Sequence, residues 1–205
     1  MTTSHPTFLS RRSLLAGLAA LPAATLALPR SAMALSSGAS EKLVRAAVDD
    51  INKVINSGKS ERAMYGDFER LFINYSDVNF IAYSSLGVAA RSASKAQMRA
   101  YVPAYTAYVS RKYGRRFREL IGGKIEVDGA RPVKSWIEVD TTARLRGEAP
   151  FDVTFLVSDK SGKHKFFNLF IADVNMLLTE RTEVGAMLDR RGGNVDALIQ
   201  DLKRA

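Results

Sequence analysis

The chain has 205 residues, of which 46% are hydrophobic, and it carries a formal net charge of +9. It contains no cysteine, which excludes disulfide bonds and thiol chemistry. With only two histidines, it also lacks the side chains that most zinc sites and most nucleophile–base pairs need.

The N-terminus has the pattern of an export signal. Arg11-Arg12 precede an apolar stretch over residues 14–28, and Ala32-Met33-Ala34 offers the small residues that signal peptidase requires. The apolar stretch is too short and too interrupted to span a bilayer comfortably. We therefore predict that residues 1–34 are a cleavable signal of the twin-arginine type and that the mature protein works in the periplasm. An uncleaved anchor and the general secretory route are the alternatives.

Cleavage after Ala34 also changes the charge. It removes three of the 30 basic residues and leaves 27 against 21 acidic ones, a net charge of +6. A moderately basic protein suits transient contact with anionic membrane surfaces or acidic proteins, although the charge could equally serve solubility. No nucleic-acid partner is expected outside the cytoplasm.

From Ser40 the apolar residues recur at spacings of three and four, which predicts a helix that ends near Gly58. A second helix is expected from about Ser60, and a short third one follows Asp77 and ends at Gly87. These three segments would form the N-terminal part of a helical layer.

The longest predicted helix begins at Ser94 and extends to about Ile121, with Pro103 expected to bend it. It carries four tyrosines at positions 101, 105, 108 and 113. Ordinary packing explains them, and a tyrosine-lined pocket wall is the alternative.

After Gly122-Gly123 the periodicity changes from 3.6 to two. Alternating segments at residues 125–127, 136–141, 151–157 and 167–171 predict four strands joined by short turns, the first of them at Asp128-Gly129. Two helices close the chain, at about residues 175–190 and 194–202. The order predicts an α+β fold, with an antiparallel four-stranded sheet covered on one face by helices, in a single domain over residues 35–205.

The chemistry-bearing residues give weak signals for catalysis. Glu138 and Asp140 share one strand face, Asp173 follows the last strand, and His164 lies between two lysines after a turn. A small enzyme with Asp140 or Asp173 as a buried acid–base group is one alternative function. A cavity-free adaptor in an envelope complex is another.

Apolar surface is what the chain offers in quantity. Six strand residues are predicted to point towards the tyrosine-rich helix, namely Phe151, Val153, Phe155, Phe167, Leu169 and Ile171. Such a layer can be a filled core or can enclose a cavity, and periodicity does not distinguish the two.

Three blocks of the sequence stand out: Leu86-Gly87 with the helix start at residues 93–97, Tyr113-Gly114, and the C-terminal block over residues 166–203. Together they resemble the MlaC family, the periplasmic phospholipid-binding component of the Mla lipid-transport pathway. The resemblance covers most of the chain from Phe68 to Lys203. It departs from the family at a few positions, including Asn168, where an aspartate is usual.

The resemblance implies a nuclear-transport-factor-like sheet with helices around it and a phospholipid whose acyl chains lie between them. It further implies a carrier, without cofactor, metal or catalytic group, that shuttles lipid between an inner-membrane ABC transporter complex and an outer-membrane lipoprotein complex. The predicted pocket combines two helix residues and six sheet residues: Tyr105, Val109, Val139, Val153, Phe155, Phe167, Leu169 and Ile171.

Overall fold

The computed structural model describes residues 35–116 and 119–205, and the predicted export signal lies outside the described residues. The described residues form six α-helices: α1 (Ser37–Ile55), α2 (Glu61–Tyr75), α3 (Val78–Leu86), α4 (Lys95–Arg116), α5 (Met176–Asp189) and α6 (Val195–Arg204). A 3-10 helix, Gly87–Arg91, follows α3. They also form five strands: β1 (Lys124–Val133), β2 (Trp136–Arg144), β3 (Phe151–Ser158), β4 (Lys165–Ile171) and β5 (Val174–Asn175).

Short polar side chains begin most of these helices. Asp77, Asn175 and Asn194 each accept a hydrogen bond from the backbone N–H three residues on, which satisfies one of the free donors of the first turn. Ser36 does the same for α1, so that helix begins at Ser37, three residues before the predicted start.

All five strands pair antiparallel in the order β1-β2-β3-β4-β5, so the α+β fold with an antiparallel sheet is confirmed. The predicted number of four strands is wrong. After Ile171 the chain reverses at Ala172 and Asp173, both with positive φ, and residues 174–175 pair back onto β4. Two residues are too few to show a periodicity of two, which is why the sequence pattern missed β5.

The predicted turn at Asp128-Gly129 is also wrong. β1 continues through these residues with an irregularity in its register between Val127 and Gly129, as a β-bulge produces. The actual turn lies between Val133 and Trp136, where Lys134 has a φ of 54°.

The core lies between one sheet face and the helices. On β2 the buried residues alternate strictly with half-buried ones, and the buried set is Ile137, Val139, Thr141 and Ala143. Ile137, Val139 and Ala143 join a hydrophobic cluster that includes residues from α1, α3, α4, α5 and α6. The sheet therefore has one face under the helices, as predicted from its alternation.

Within residues 35–116 and 119–205, no helix combines the length and hydropathy needed to cross a membrane.

Candidate functional site

The first cavity, of about 270 Å³, lies between the sheet and helices α1, α2 and α4. Its walls come from three helices and four strands, and Glu119 is the only charged residue among the described ones that line it. Most of the remaining lining is aliphatic or aromatic: Ala47, Ile51, Phe68, Leu71, Phe72, Tyr75, Val109, Tyr113, Leu120, Ile125, Ala143, Leu145, Phe151, Val153, Phe155, Phe166, Leu169 and Ile171. Such a space binds apolar groups and offers few polar contacts.

The second cavity, of about 170 Å³, lies between β4 and helices α3, α4 and α5. It shares a wall with the first cavity, because six side chains line both: Phe72, Val109, Tyr113, Phe166, Leu169 and Ile171. The two spaces are therefore neighbours separated by side chains.

Most of the predicted pocket residues lie at these cavities. Val153 and Phe155 line the first and Tyr105 lines the second, while three more line both, namely Val109, Leu169 and Ile171. Val139 differs: it is completely buried opposite Phe155 and lines neither of the two.

Phe167 does not occupy the position that strict alternation predicts. The register between β3 and β4 shifts there, so that Phe166 pairs with Val157 in the inward row and Phe167 is the extra residue. Phe167 borders the second cavity, and its ring makes edge contacts with Phe80 and Trp136. Phe166 lies edge-on to Phe155 instead, with ring centroids 5.5 Å apart.

An ionic cluster joins α4 to α5 beside the second cavity. Glu180, only 3% exposed, accepts hydrogen bonds from Lys112 at 2.6 Å and from the hydroxyl of Tyr113. Lys112 also pairs with the more exposed Glu183. Burial alone would lower the pKa of Lys112, but its hydrogen bonds to the two carboxylates raise it above the ordinary value.

Two buried oxygens next to this cluster lack a hydrogen-bond partner among the described residues, the Tyr105 hydroxyl and Oε2 of Glu180. Both residues line the second cavity. Burial raises the pKa of Tyr105 well above its ordinary value, and the nearby Glu180 charge adds to the effect. Tyr105 therefore stays neutral and can still donate or accept one hydrogen bond.

The carboxylates considered for catalysis lie elsewhere. Asp140 pairs with Arg131 and accepts a hydrogen bond from Thr154, and Asp173 lies in the exposed turn before β5. Neither is among the residues that line the two cavities. The described part of the chain also contains no group of three or more His, Asp or Glu side chains that could hold a metal ion.

Sequence reasoning missed Glu180 and the residues of α1 and α2 that line the first cavity. Glu180 did carry a signal, since it lies on the same helical face as Leu177, Val184 and Leu188, where an apolar residue is expected. The contributions of α1 and α2 carried none, because they depend on how the helices pack on the sheet.

The comparisons with known proteins agree with this geometry. The family model described as MlaC protein matches residues 45–204. The fold is similar to the solved structure of the phospholipid-binding protein from Ralstonia solanacearum in complex with a phospholipid. The TM-score is 0.69 at 17% identity, over 80% of this chain and 95% of that one.

Among the curated proteins, nothing matches the chain. The family model, however, spans well over half of the sequence. The chain belongs to the MlaC family.

Proposed function

We propose that this protein binds phospholipid and carries it through the periplasm between membrane complexes of an ABC-type lipid transport system. The observation that carries the proposal is the pair of adjacent cavities between sheet and helices, whose walls are mainly aliphatic and aromatic. Adjacent apolar spaces of this kind suit the acyl chains of a lipid. Membership of the MlaC family supports the same function, as does the phospholipid in the Ralstonia solanacearum structure.

The hydrophobic effect supplies the binding energy in this proposal. Each buried methylene contributes about 0.8 kcal/mol, so acyl chains provide strong affinity without any specific polar contact. The lining of the first cavity fits this requirement, because Glu119 is its only charged residue among those described. Binding without catalysis also agrees with the positions of Asp140 and Asp173 away from both cavities. A cavity-free adaptor is disfavoured by the cavities themselves.

The direct test is the lipid content of the protein purified after export. Organic extraction and mass spectrometry should find about one phospholipid per chain, and the lipid-free protein should take up phospholipid from vesicles. Protein that contains no phospholipid and takes none up would refute the proposal.

A matched pair of β2 variants tests whether the first cavity is the binding site. Ala143→Phe places a ring in the cavity, and a ring that displaces two methylenes forfeits about 1.6 kcal/mol, so the affinity for phospholipid, measured by titrating the lipid-free protein, should fall about tenfold. Val139→Ala changes a buried residue of the same strand that lines neither cavity. It should cost about 2 kcal/mol of stability and leave the affinity for phospholipid unchanged. Equal losses of affinity in both variants would contradict this assignment.

We propose further that residues 1–34 are removed on export and that Arg11-Arg12 direct the chain to the twin-arginine route. Replacing both arginines with lysine should then prevent the protein from appearing in the periplasm. Undiminished export of that variant would indicate the general secretory route, and the carrier function would be unaffected by that result.

A further inference from the structure

Two adjacent turns at one end of the sheet carry a concentration of lysines. The β1–β2 turn contains Lys134, and the β3–β4 turn contains Lys160 and Lys163. In an antiparallel meander these two turns lie at the same end, side by side, because β2 pairs with β3. All three lysines are exposed, and none forms an ion pair with another described residue.

Lys165, at the start of β4, adds a fourth cation to this end of the sheet. Its ammonium donates hydrogen bonds to the carbonyls of Ile73 and Asn74. Burial lowers the pKa of Lys165, and the neighbouring charge of Lys163 lowers it further.

The balance of charge at this end of the sheet also depends on the acidic residues that lie nearby. Glu138 accepts a hydrogen bond from the indole N–H of Trp136 and is neutralised by its ion pair with Arg131. Asp159 begins the β3–β4 turn, and Asp77 already accepts the backbone N–H of Phe80 at the start of α3. Positive charge therefore exceeds negative charge at this end.

Three aromatic side chains lie beside these lysines. Phe80 is 45% exposed, and its ring meets that of Phe167 edge-on at 5.5 Å. Trp136, which directly follows the β1–β2 turn, meets the other side of Phe167 at 6.2 Å. Phe80, Lys134, Trp136, Lys160, Lys163 and Phe167 together are called the lysine–aromatic surface.

The lysine–aromatic surface adjoins the second cavity. Phe167 belongs to both, and Ile81, the neighbour of Phe80 on α3, also lines the cavity. A binding partner on this surface would therefore lie next to the second cavity.

We propose that the lysine–aromatic surface docks the protein onto anionic phospholipid bilayers. This inference rests on the proposed carrier function, because a lipid carrier gains from presenting a cavity to the membrane. Lysines supply the attraction to anionic headgroups, while tryptophan and phenylalanine insert at the boundary between headgroups and acyl chains. The lysines alone would attract a bilayer and an acidic protein equally well. The aromatic rings of the surface favour the bilayer, because they can insert into it.

Flotation with vesicles tests the docking surface. The purified protein should float with vesicles that contain phosphatidylglycerol and remain unbound with vesicles of phosphatidylcholine alone, and added salt should weaken the binding. Lys134→Gln, Lys160→Gln and Lys163→Gln together should weaken it about a hundredfold, about fivefold for each lysine. Phe80→Ala should weaken it about fivefold because half of a large apolar side chain no longer inserts.

The matched control is a second triple variant, Lys42→Gln, Lys95→Gln and Lys203→Gln. It removes the same charge from exposed positions on α1, α4 and α6 and should bind vesicles like the original protein. Equal weakening by both triple variants would overturn the proposal, since net charge would then suffice. Binding to polyglutamate but not to phosphatidylglycerol vesicles would also overturn it and would indicate an acidic protein partner.

The lipid content of the same preparations separates the two proposals. Phospholipid in the purified protein together with no vesicle binding would refute the docking surface and leave the carrier function standing. Vesicle binding by a protein that contains and takes up no phospholipid would refute the carrier function instead.

Discussion

The two cavities share a wall and differ in what else surrounds them. The first is lined almost entirely by apolar side chains from α1, α2, α4 and the sheet, so in the proposed function burial would supply most of its affinity for a lipid. The second is bounded by α5, which brings Glu180 against its partners Lys112 and Tyr113 on α4. Apolar walls of this kind tolerate many acyl chains, whereas buried charge fixes the position of a helix.

This difference assigns separate roles within the proposed function. The first cavity supplies affinity that is insensitive to the chemistry of a headgroup. At the second, the Lys112–Glu180 pair links α5 to α4 beside the cavity. Three comparisons between variants test the packing, the charge and the hydrogen bonding that surround the two cavities.

The largest effect is expected at Phe166, in the wall that both cavities share. Phe166→Ala removes a buried ring that contacts Phe72 and Phe155 and should lower the free energy of unfolding by about 4 kcal/mol. The neighbouring Phe167 is only half-buried, so Phe167→Ala should cost about 1 kcal/mol. Urea denaturation of both variants measures the difference. Equal costs would mean that the two rings are equally buried, contrary to the bulge.

That pair of residues also shows how far the sequence alone reaches. Alternation predicts four strands and the inward direction of Val153, Phe155, Leu169 and Ile171, because a period of two is repeated over each strand. It also predicts Phe167 in the same row and is wrong there. A bulge adds one residue to a strand and so reverses which residues face inward beyond it. The alternation of apolar and polar residues on either side of the bulge remains regular, so the sequence does not reveal where the extra residue lies.

The helix residues at the two cavities were also only partly predictable from periodicity. Tyr105 and Val109 could be predicted because they belong to a long apolar stripe on one helix. Ala47, Ile51 and Phe72 also belong to apolar helix faces, but no pattern says which part of a face will border a cavity and which will be packed solid. Glu180 was recognisable only as a charge on an apolar face. Its partner Lys112 is 68 residues away in sequence and is brought to it by the packing of α5 on α4.

The second prediction concerns the charge that distinguishes the second cavity. Lys112→Met leaves the carboxylate of Glu180 buried without its cation and should cost about 3 kcal/mol. Glu183→Gln changes the exposed partner of the same lysine and should cost less than about 1 kcal/mol.

The double variant Lys112→Met with Glu180→Leu provides the decisive comparison for this pair. It should recover most of the loss, because no buried charge then lacks a partner and the remaining carboxylate, Glu183, is exposed. Chemical denaturation of the single and double variants measures the coupling. Additive losses would show that the two side chains act independently and that the ion pair does not hold the helices together.

The smallest effect is expected from two tyrosine hydroxyls on α4 that differ in one respect. The hydroxyl of Tyr113 donates to Glu180, so Tyr113→Phe should lower stability by about 1.5 kcal/mol. The hydroxyl of Tyr105 is buried without a partner among the described residues, so Tyr105→Phe should raise the stability of the lipid-free protein by about 1 kcal/mol. Thermal unfolding of the lipid-free variants measures both. A loss of stability for Tyr105→Phe in the lipid-free protein would show that its hydroxyl has a partner, such as an ordered water molecule in the second cavity.

The same variant can also be measured with phospholipid bound. A gain of stability without lipid that becomes a loss with lipid would show that the ligand itself is the partner of the hydroxyl. The second cavity would then recognise a polar group of the lipid as well as an acyl chain.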